Sequence, residues 1–128
     1  MRLLFSLPVF LYFLIRISFA EPVDAEVWEK QCDRNDADAC FNLGLSYGPG
    51  NTPEVNHFKE FHYLEKSCIG GHALGCWYTA EAYRKGEGVR QDDHRQLEFY
   101  GLACDLELQL GCDAYAQLKQ ELNGAGVR

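Results

Sequence analysis

Beyond the first 20 residues, apolar positions recur at spacings of three and four, the period of a helix with one buried face. Val23, Val27 and Trp28 stand among acidic neighbours and predict a short helix over Asp24–Cys32 that caps whatever follows. Ala37, Cys40, Phe41, Leu43, Leu45 and Tyr47 predict a second over Ala37–Tyr47, with Gly44 where another helix can approach closely and Gly48-Pro49-Gly50 as the breaker. A third, Val55–Cys68, would turn one aromatic-rich face made of Val55, Phe58, Phe61, His62, Leu64 and Glu65 onto its neighbours. Trp77, Tyr78, Ala80, Ala82 and Tyr83 predict a fourth over His72–Arg84, closed by Gly86 and Gly88, which supply the positive φ of a helix C-terminus. Asp92 or Asp93 caps a fifth, Arg95–Cys104, whose apolar positions are Leu97, Tyr100, Leu102 and Ala103. Leu110, Tyr115, Leu118 and Leu122 mark a sixth over Leu108–Leu122.

A longer period overlies the helical one. Cys32 and Cys40, Cys68 and Cys76, and Cys104 and Cys112 are three pairs with seven residues between partners, each pair 36 residues after the last. Large apolar residues, Trp28, Leu64 and Tyr100, stand four positions before the first cysteine of each pair. Glu29-Lys30 is matched by Glu65-Lys66, and Leu74-Gly75-Cys76 by Leu110-Gly111-Cys112. A fixed period of this size is the mark of a stacked-repeat protein, whose units cannot bury their apolar faces alone.

The first 20 residues read differently. Arg2 precedes the thirteen-residue, largely apolar stretch Leu3–Ile15, and Ser18-Phe19-Ala20 offers small residues where a signal peptidase reads. That stretch falls short of the roughly 20 residues needed to span a bilayer. The expectation is a signal peptide over residues 1–20 cleaved after Ala20, a domain over 21–128 with repeat frames near 28–63, 64–99 and 100–128, and export to the periplasm or the outside of the cell. Loss of Arg2 and Arg16 leaves 10 basic against 19 acidic side chains, a net of −9. Such a surface argues against nucleic acid and anionic membrane as partners, and no stable membrane anchor is expected after cleavage.

Six cysteines in an exported chain of this length read as a disulfide framework. If paired cysteines shared one continuous helix, a rise of about 1.5 Å per residue would hold them about 12 Å apart, beyond the roughly 7 Å that a bridge tolerates. The chain therefore turns between them, at Asp33–Asp36, at Gly70-Gly71 and at Asp105–Glu107, so that one cysteine closes a helix and its partner opens the next. Metal ligation fits poorly. Zinc ligands pair with two to four intervening residues, and His57, His62, His72 and His94 do not recur at equivalent places. No CxxC motif supports thiol exchange.

Catalytic motifs are missing too. A serine β-lactamase places its nucleophile one turn from a lysine, and no Ser-x-x-Lys occurs; nor does His-Glu-x-x-His. Ser46 lies near a helix end and Ser67 beside a cysteine of the framework. Asp33, Asp36 and Asp38 lack the spacing and terminal Glu of a calcium loop, and Gly86-x-Gly88 is explained by a helix end without phosphate. No catalytic residue, cofactor or metal is expected. The candidate binding surface is Trp77, Tyr78, Tyr83 and Arg84, although aromatic residues at helical spacing, Trp28 among them, more often fill a core.

At Ala73-Leu74-Gly75, Tyr83, Gly86-Glu87-Gly88-Val89 and Asp93 the middle unit resembles the Sel-one-like repeat, a relative of the tetratricopeptide repeat with a period near 36. The cysteine pairs resemble its disulfide-rich branch, typified by the Helicobacter cysteine-rich proteins. The resemblance runs from about Trp28 to Val127; the first unit departs from it at Gly48-Pro49-Gly50-Asn51-Thr52-Pro53, and Leu97 stands where the family prefers alanine. It implies an all-α, right-handed α/α superhelix, a solenoid of about three disulfide-clamped helix-turn-helix repeats of 36 residues. It implies an adaptor scaffold that binds a protein or peptide partner, with binding or slow hydrolysis of β-lactams as the alternative.

If the bridges clamp the corners, replacing Cys68 and Cys76 together by Ala should loosen the whole stack. The expected loss is about 2–3 kcal/mol in the chain-entropy treatment of a short loop. Thermal melting under oxidising conditions reads it, and an unchanged midpoint would count against the clamp.

Overall fold

The computed structural model describes residues 25–51 and 54–126. Among the described residues there are six helices and no strand: α1 (Ala25–Asp33), α2 (Ala37–Ser46), α3 (His57–Ile69), α4 (Ala73–Lys85), α5 (Asp93–Asp105) and α6 (Gln109–Gly126). The expected signal peptide over residues 1–20, with its cleavage point, lies outside the described residues, as do Thr52, Pro53 and the last two positions.

Local chemistry sets where the helices start. Asp36 accepts a hydrogen bond from the Ala39 amide (3.1 Å), Asn56 from Lys59 (3.0 Å), and Asp92 from His94 and Arg95 (3.0 Å each), each satisfying donors that the first turn leaves without partners. Asp92, not Asp93, is thus the cap of α5. His72 caps α4 with its ring, Nδ1 accepting from the Gly75 amide at 3.0 Å. Gly86 ends α4 at φ +72°, its amide donating to the Ala82 carbonyl.

Three corners repeat nearly atom for atom. Cys32–Cys40, Cys68–Cys76 and Cys104–Cys112 are bridged, with Cα atoms 4.6, 4.4 and 4.5 Å apart. The amides of Asn35, Gly71 and Glu107 donate to the carbonyls of Cys32, Cys68 and Cys104, each at 2.9 Å. Those of Asp36, His72 and Leu108 reach back to Gln31, Ser67 and Ala103 at 3.0–3.1 Å. This pair of bonds closes a helix only when the first of the two donors swings into the left-handed region. Asn35 (φ +66°), Gly71 (φ +96°) and Glu107 (φ +67°) do so, 36 residues apart.

The bridges are part of the core. Cys32 and Cys40 are buried with Ala39 and Leu43 against Trp28, Tyr47 and Tyr63. Cys68 and Cys76 are buried with Ala80, Phe99, Tyr100, Ala103 and Leu118. Cys104 and Cys112, in contrast, are only half-buried. Each helix packs chiefly on the helices before and after it, as a one-dimensional stack requires. Close approach depends on small residues at the contacts. A Cβ on Gly44 would lie 2.9 Å from Leu64 Cγ, and one on Gly111 would lie 2.6 Å from the Ala103 Cβ.

The phase of α3 differs from the expectation. Val55 precedes the helix, Phe58 is 73% exposed, and His62 also faces out, so these residues do not join the aromatic face. Phe61 and Leu64 do face in, joined by Tyr63, which stacks on Tyr47 at 5.8 Å. The reason lies in the corner. Cys68 must point at Cys76, and that fixes the rotation of α3 whatever the affinities of its first turn.

Glu107 is the one corner residue with neither the freedom of glycine nor the tolerance of asparagine for this region. Glu107→Gly should stabilise the oxidised protein by about 0.5–1 kcal/mol, relief of the left-handed cost exceeding the added entropy of the unfolded chain. Chemical denaturation of the two proteins measures it; a loss of stability would contradict the account.

Candidate interaction surface

Helix α4 lies mid-stack, and its residues divide by face. Thr79 and Ala80 are buried, Thr79 donating its hydroxyl to the Gly75 carbonyl at 2.7 Å. The four residues singled out from sequence do not form one surface. Trp77 is half-buried against the core around Cys68 and Cys76, edge-on to Tyr78 at 5.2 Å. Tyr83 is wedged between Phe61 (5.3 Å, edge-on) and Phe99 (5.6 Å, stacked), and burial followed by the Glu65 charge raises its pKa. Both belong to the packing. Tyr78 is partly exposed and lines a groove of about 220 Å³ between α3 and α4, with His57, Glu60, Phe61 and Leu64. Arg84 is exposed and lines a second depression of about 290 Å³ formed by α4, α5 and α6.

Glu81, which the sequence reading passed over, lines both. One carboxylate oxygen accepts from Arg84 Nε and Nη2 at 3.0 and 2.7 Å, and the other accepts from the Tyr100 hydroxyl. Gln96 Nε2 donates to the same hydroxyl at 3.4 Å. Burial alone would raise the Glu81 pKa, but the hydrogen bonds from Arg84 and Tyr100 and the Arg84 charge outweigh it and hold the carboxyl below its usual range. Burial and the bond to Glu81 push Tyr100 up to about 12. The Glu81-x-x-Arg84 spacing is legible in a helix, whereas Tyr100 is 19 residues away on the next one. The result is a fixed ionic and phenolic cluster between the partly apolar groove at Tyr78 and the polar depression at Arg84, Gln117 and Glu121.

Nothing among the described residues gathers three or more His, Cys, Asp or Glu side chains into a metal-holding group, and no described helix is long and apolar enough to cross a membrane. Ser67, buried, donates to the Leu64 carbonyl at 2.7 Å.

Solved structures of the same shape identify the architecture. An antigen from uropathogenic Escherichia coli, c5321, displaying an SLR fold, superposes with a TM-score of 0.70 at 21% identity, covering 78% of this chain and 21% of that one. The Helicobacter pylori cysteine-rich protein B superposes at 0.66 with 24% identity, over 70% of this chain and 67% of that one. The chain has the Sel-one-like repeat fold. It is an all-α, right-handed superhelix of about three repeats, as the resemblance implied. No family model matches the sequence. Among curated proteins, the Sel-one-like chain is similar to cytochrome c oxidase assembly factor 7A of Xenopus laevis, 36% identical over 84 residues, and to cytochrome c oxidase assembly factor 7 of Xenopus tropicalis, 34% identical over 84 residues. Each match takes in 63% of this chain and spans 36% of the relative's length.

These relatives correct the expected location. Cytochrome c oxidase of an animal cell is a mitochondrial complex, so its assembly factors are not exported through a signal peptide, and the reading of a periplasmic or secreted protein is overturned. The physical reason for the error is that an apolar run after a lone arginine reports affinity for an apolar environment; it does not name the membrane.

The Glu81–Tyr100 pair gives stability two pH limits. The depressed Glu81 pKa contributes stability that is present above the unfolded carboxylate value and lost as pH falls through the folded one. The raised Tyr100 pKa contributes stability that is complete below 10 and lost as pH rises towards about 12. Tyr100→Phe should flatten the alkaline loss between those two values and cost about 1 kcal/mol at neutral pH for the missing bond. Denaturation midpoints at several pH values check both, and an identical alkaline limb in the variant would refute the assignment.

Proposed function

We propose that the protein is a repeat scaffold that binds another protein during the building of a larger complex, in the setting named by its frog relatives, cytochrome c oxidase assembly. The observation that carries the reading is the 36% identity over 84 residues to an assembly factor, on a bridged stack that carries grooves at Tyr78 and Arg84. A stiff surface loses little conformational freedom when a partner docks, which is the physical use of a clamped stack. Tyr78 offers an exposed aromatic ring over a partly apolar groove, and Glu81 and Arg84 offer a fixed polar edge beside it, the combination typical of binding hot spots. Three bridges also suit a compartment in which thiols are kept oxidised.

Depleting the protein from its native cells should lower the amount of assembled cytochrome c oxidase seen on native gels. Re-expression of the native chain should restore it, and Tyr78→Ala with Arg84→Ala should restore it less well at a temperature where circular dichroism shows the variant still folded, although the lost Glu81 bonds lower its melting temperature. Unchanged oxidase after depletion would overturn the reading.

A further inference from the structure

The 36-residue translation that superposes the corners also pairs the residues flanking the seams between units, and the two seams differ in chemistry. Between the first and second units the seam is polar: Lys66 Nζ pairs with Asp33 at 3.9 Å, and His72 Nε2 faces Asp38 at 3.6 Å. Moving 36 positions on turns Asp33 and Lys66 into Ile69 and Leu102, and Asp38 and His72 into Leu74 and Leu108. The second seam is therefore apolar at every one of these positions. Gly70, whose added Cβ would meet the Ala37 Cβ at 2.8 Å, becomes Leu106.

Leu108 is half-buried against the core around Cys68 and Cys76, but the others are not hidden. Ile69 is 79% exposed, Leu74 40%, and Leu102 and Leu106 each 39%. Large apolar residues scattered singly need no explanation; a run of them along one seam does. The charges at either end are mostly acidic and exposed. Asp33, Asp36 and Asp38 lie at the first corner, and Asp105, Glu107 and Asp113 at the third, against Arg34 and Lys66. The strip is on the bridged edge of the stack, apart from the grooves at Tyr78 and Arg84.

We infer that this edge is a second docking surface, and that its occupant is an amphipathic helical segment of a partner protein carrying an apolar face with lysine or arginine at its ends. Charge selects this occupant over two others. A second copy of the chain would bring the same acids against these acids, and an anionic membrane surface would be repelled by them. A basic, leucine-faced helix meets apolar contact along the seam and opposite charge at both rims. The inference does not rest on the groove at Tyr78 or on the oxidase setting, and the two stand or fall separately.

The molecule itself supplies the test variant. Ile69→Asp with Leu102→Lys installs at the second seam the pair that the first seam already carries as Asp33 and Lys66. A synthetic 18-residue helix of leucine and lysine in amphipathic order is the probe, with a leucine–glutamate helix as its control. Methyl NMR of the full chain should show shifts at Ile69, Leu74, Leu102 and Leu106 on adding the lysine helix, and affinity should fall at least tenfold in the double variant. The control helix should bind at least tenfold more weakly, and added salt should weaken the lysine helix. Equal binding to the variant, shifts confined to the Tyr78 groove, or equal binding of the glutamate helix would overturn the inference. So would self-association of the unliganded chain that the double variant abolishes, or partition onto vesicles containing phosphatidylserine.

Discussion

Everything in this fold depends on how closely two helices can be brought together at a corner. Bridged Cα atoms at 4.4–4.6 Å leave no room for ordinary side chains beside the sulfurs, and the residues next to them obey that limit. Gly75 and Gly111 precede the second cysteine in two corners and Ala39 in the other, and a Cβ on Gly111 would press on Ala103. The turn obeys it as well. Three residues reverse the chain at each corner while their amides bond back to the preceding helix, and only a left-handed residue in the middle allows it. The repeated cysteine, the small neighbour and the positive φ are one constraint expressed three times.

From that constraint the rest follows by rotation. Once each corner fixes the azimuth of its two helices, the faces that meet the next hairpin are fixed too, and Tyr63, Leu64, Phe99 and Tyr100 are carried inward. The core is thin, and the bridges belong to it. Four of the six sulfurs are buried in the two apolar clusters and supply packing as well as linkage. The third bridge is half-buried because its corner has no hairpin beyond it among the described residues to cover it.

The sequence was most legible where the repeat and the helix agree. The period of 36, the helix count from Asp24 onward, a cap at Asp92 or Asp93 and the helix end at Gly86 could all be read from residue type and spacing, because each reflects a local rule. Legibility failed where a distant contact decided. Phe58 looked inward by hydrophobicity alone, yet the rotation set 10 residues later at Cys68 turns it to solvent. Tyr78 and Arg84 were grouped with Trp77 and Tyr83 because all four share a helix, but Trp77 and Tyr83 are packed and the other two face different hollows. Glu81 carried no signal by itself. Its meaning comes from Tyr100, which only the stacking of α5 on α4 brings within reach.

Repetition also has a use beyond recognition of the fold. Units related by one translation act as internal controls, since the backbone is nearly the same and the side chains differ. Where Asp33 and Lys66 give way to Ile69 and Leu102, the fold has not required the change, because the ionic version stands one unit away in the same chain. Folding alone does not account for exposing isoleucine and leucine where a charged pair is tolerated, since exposed apolar surface contributes nothing to the core and invites association. The substitution is therefore better explained by something that covers the seam than by the needs of the stack itself.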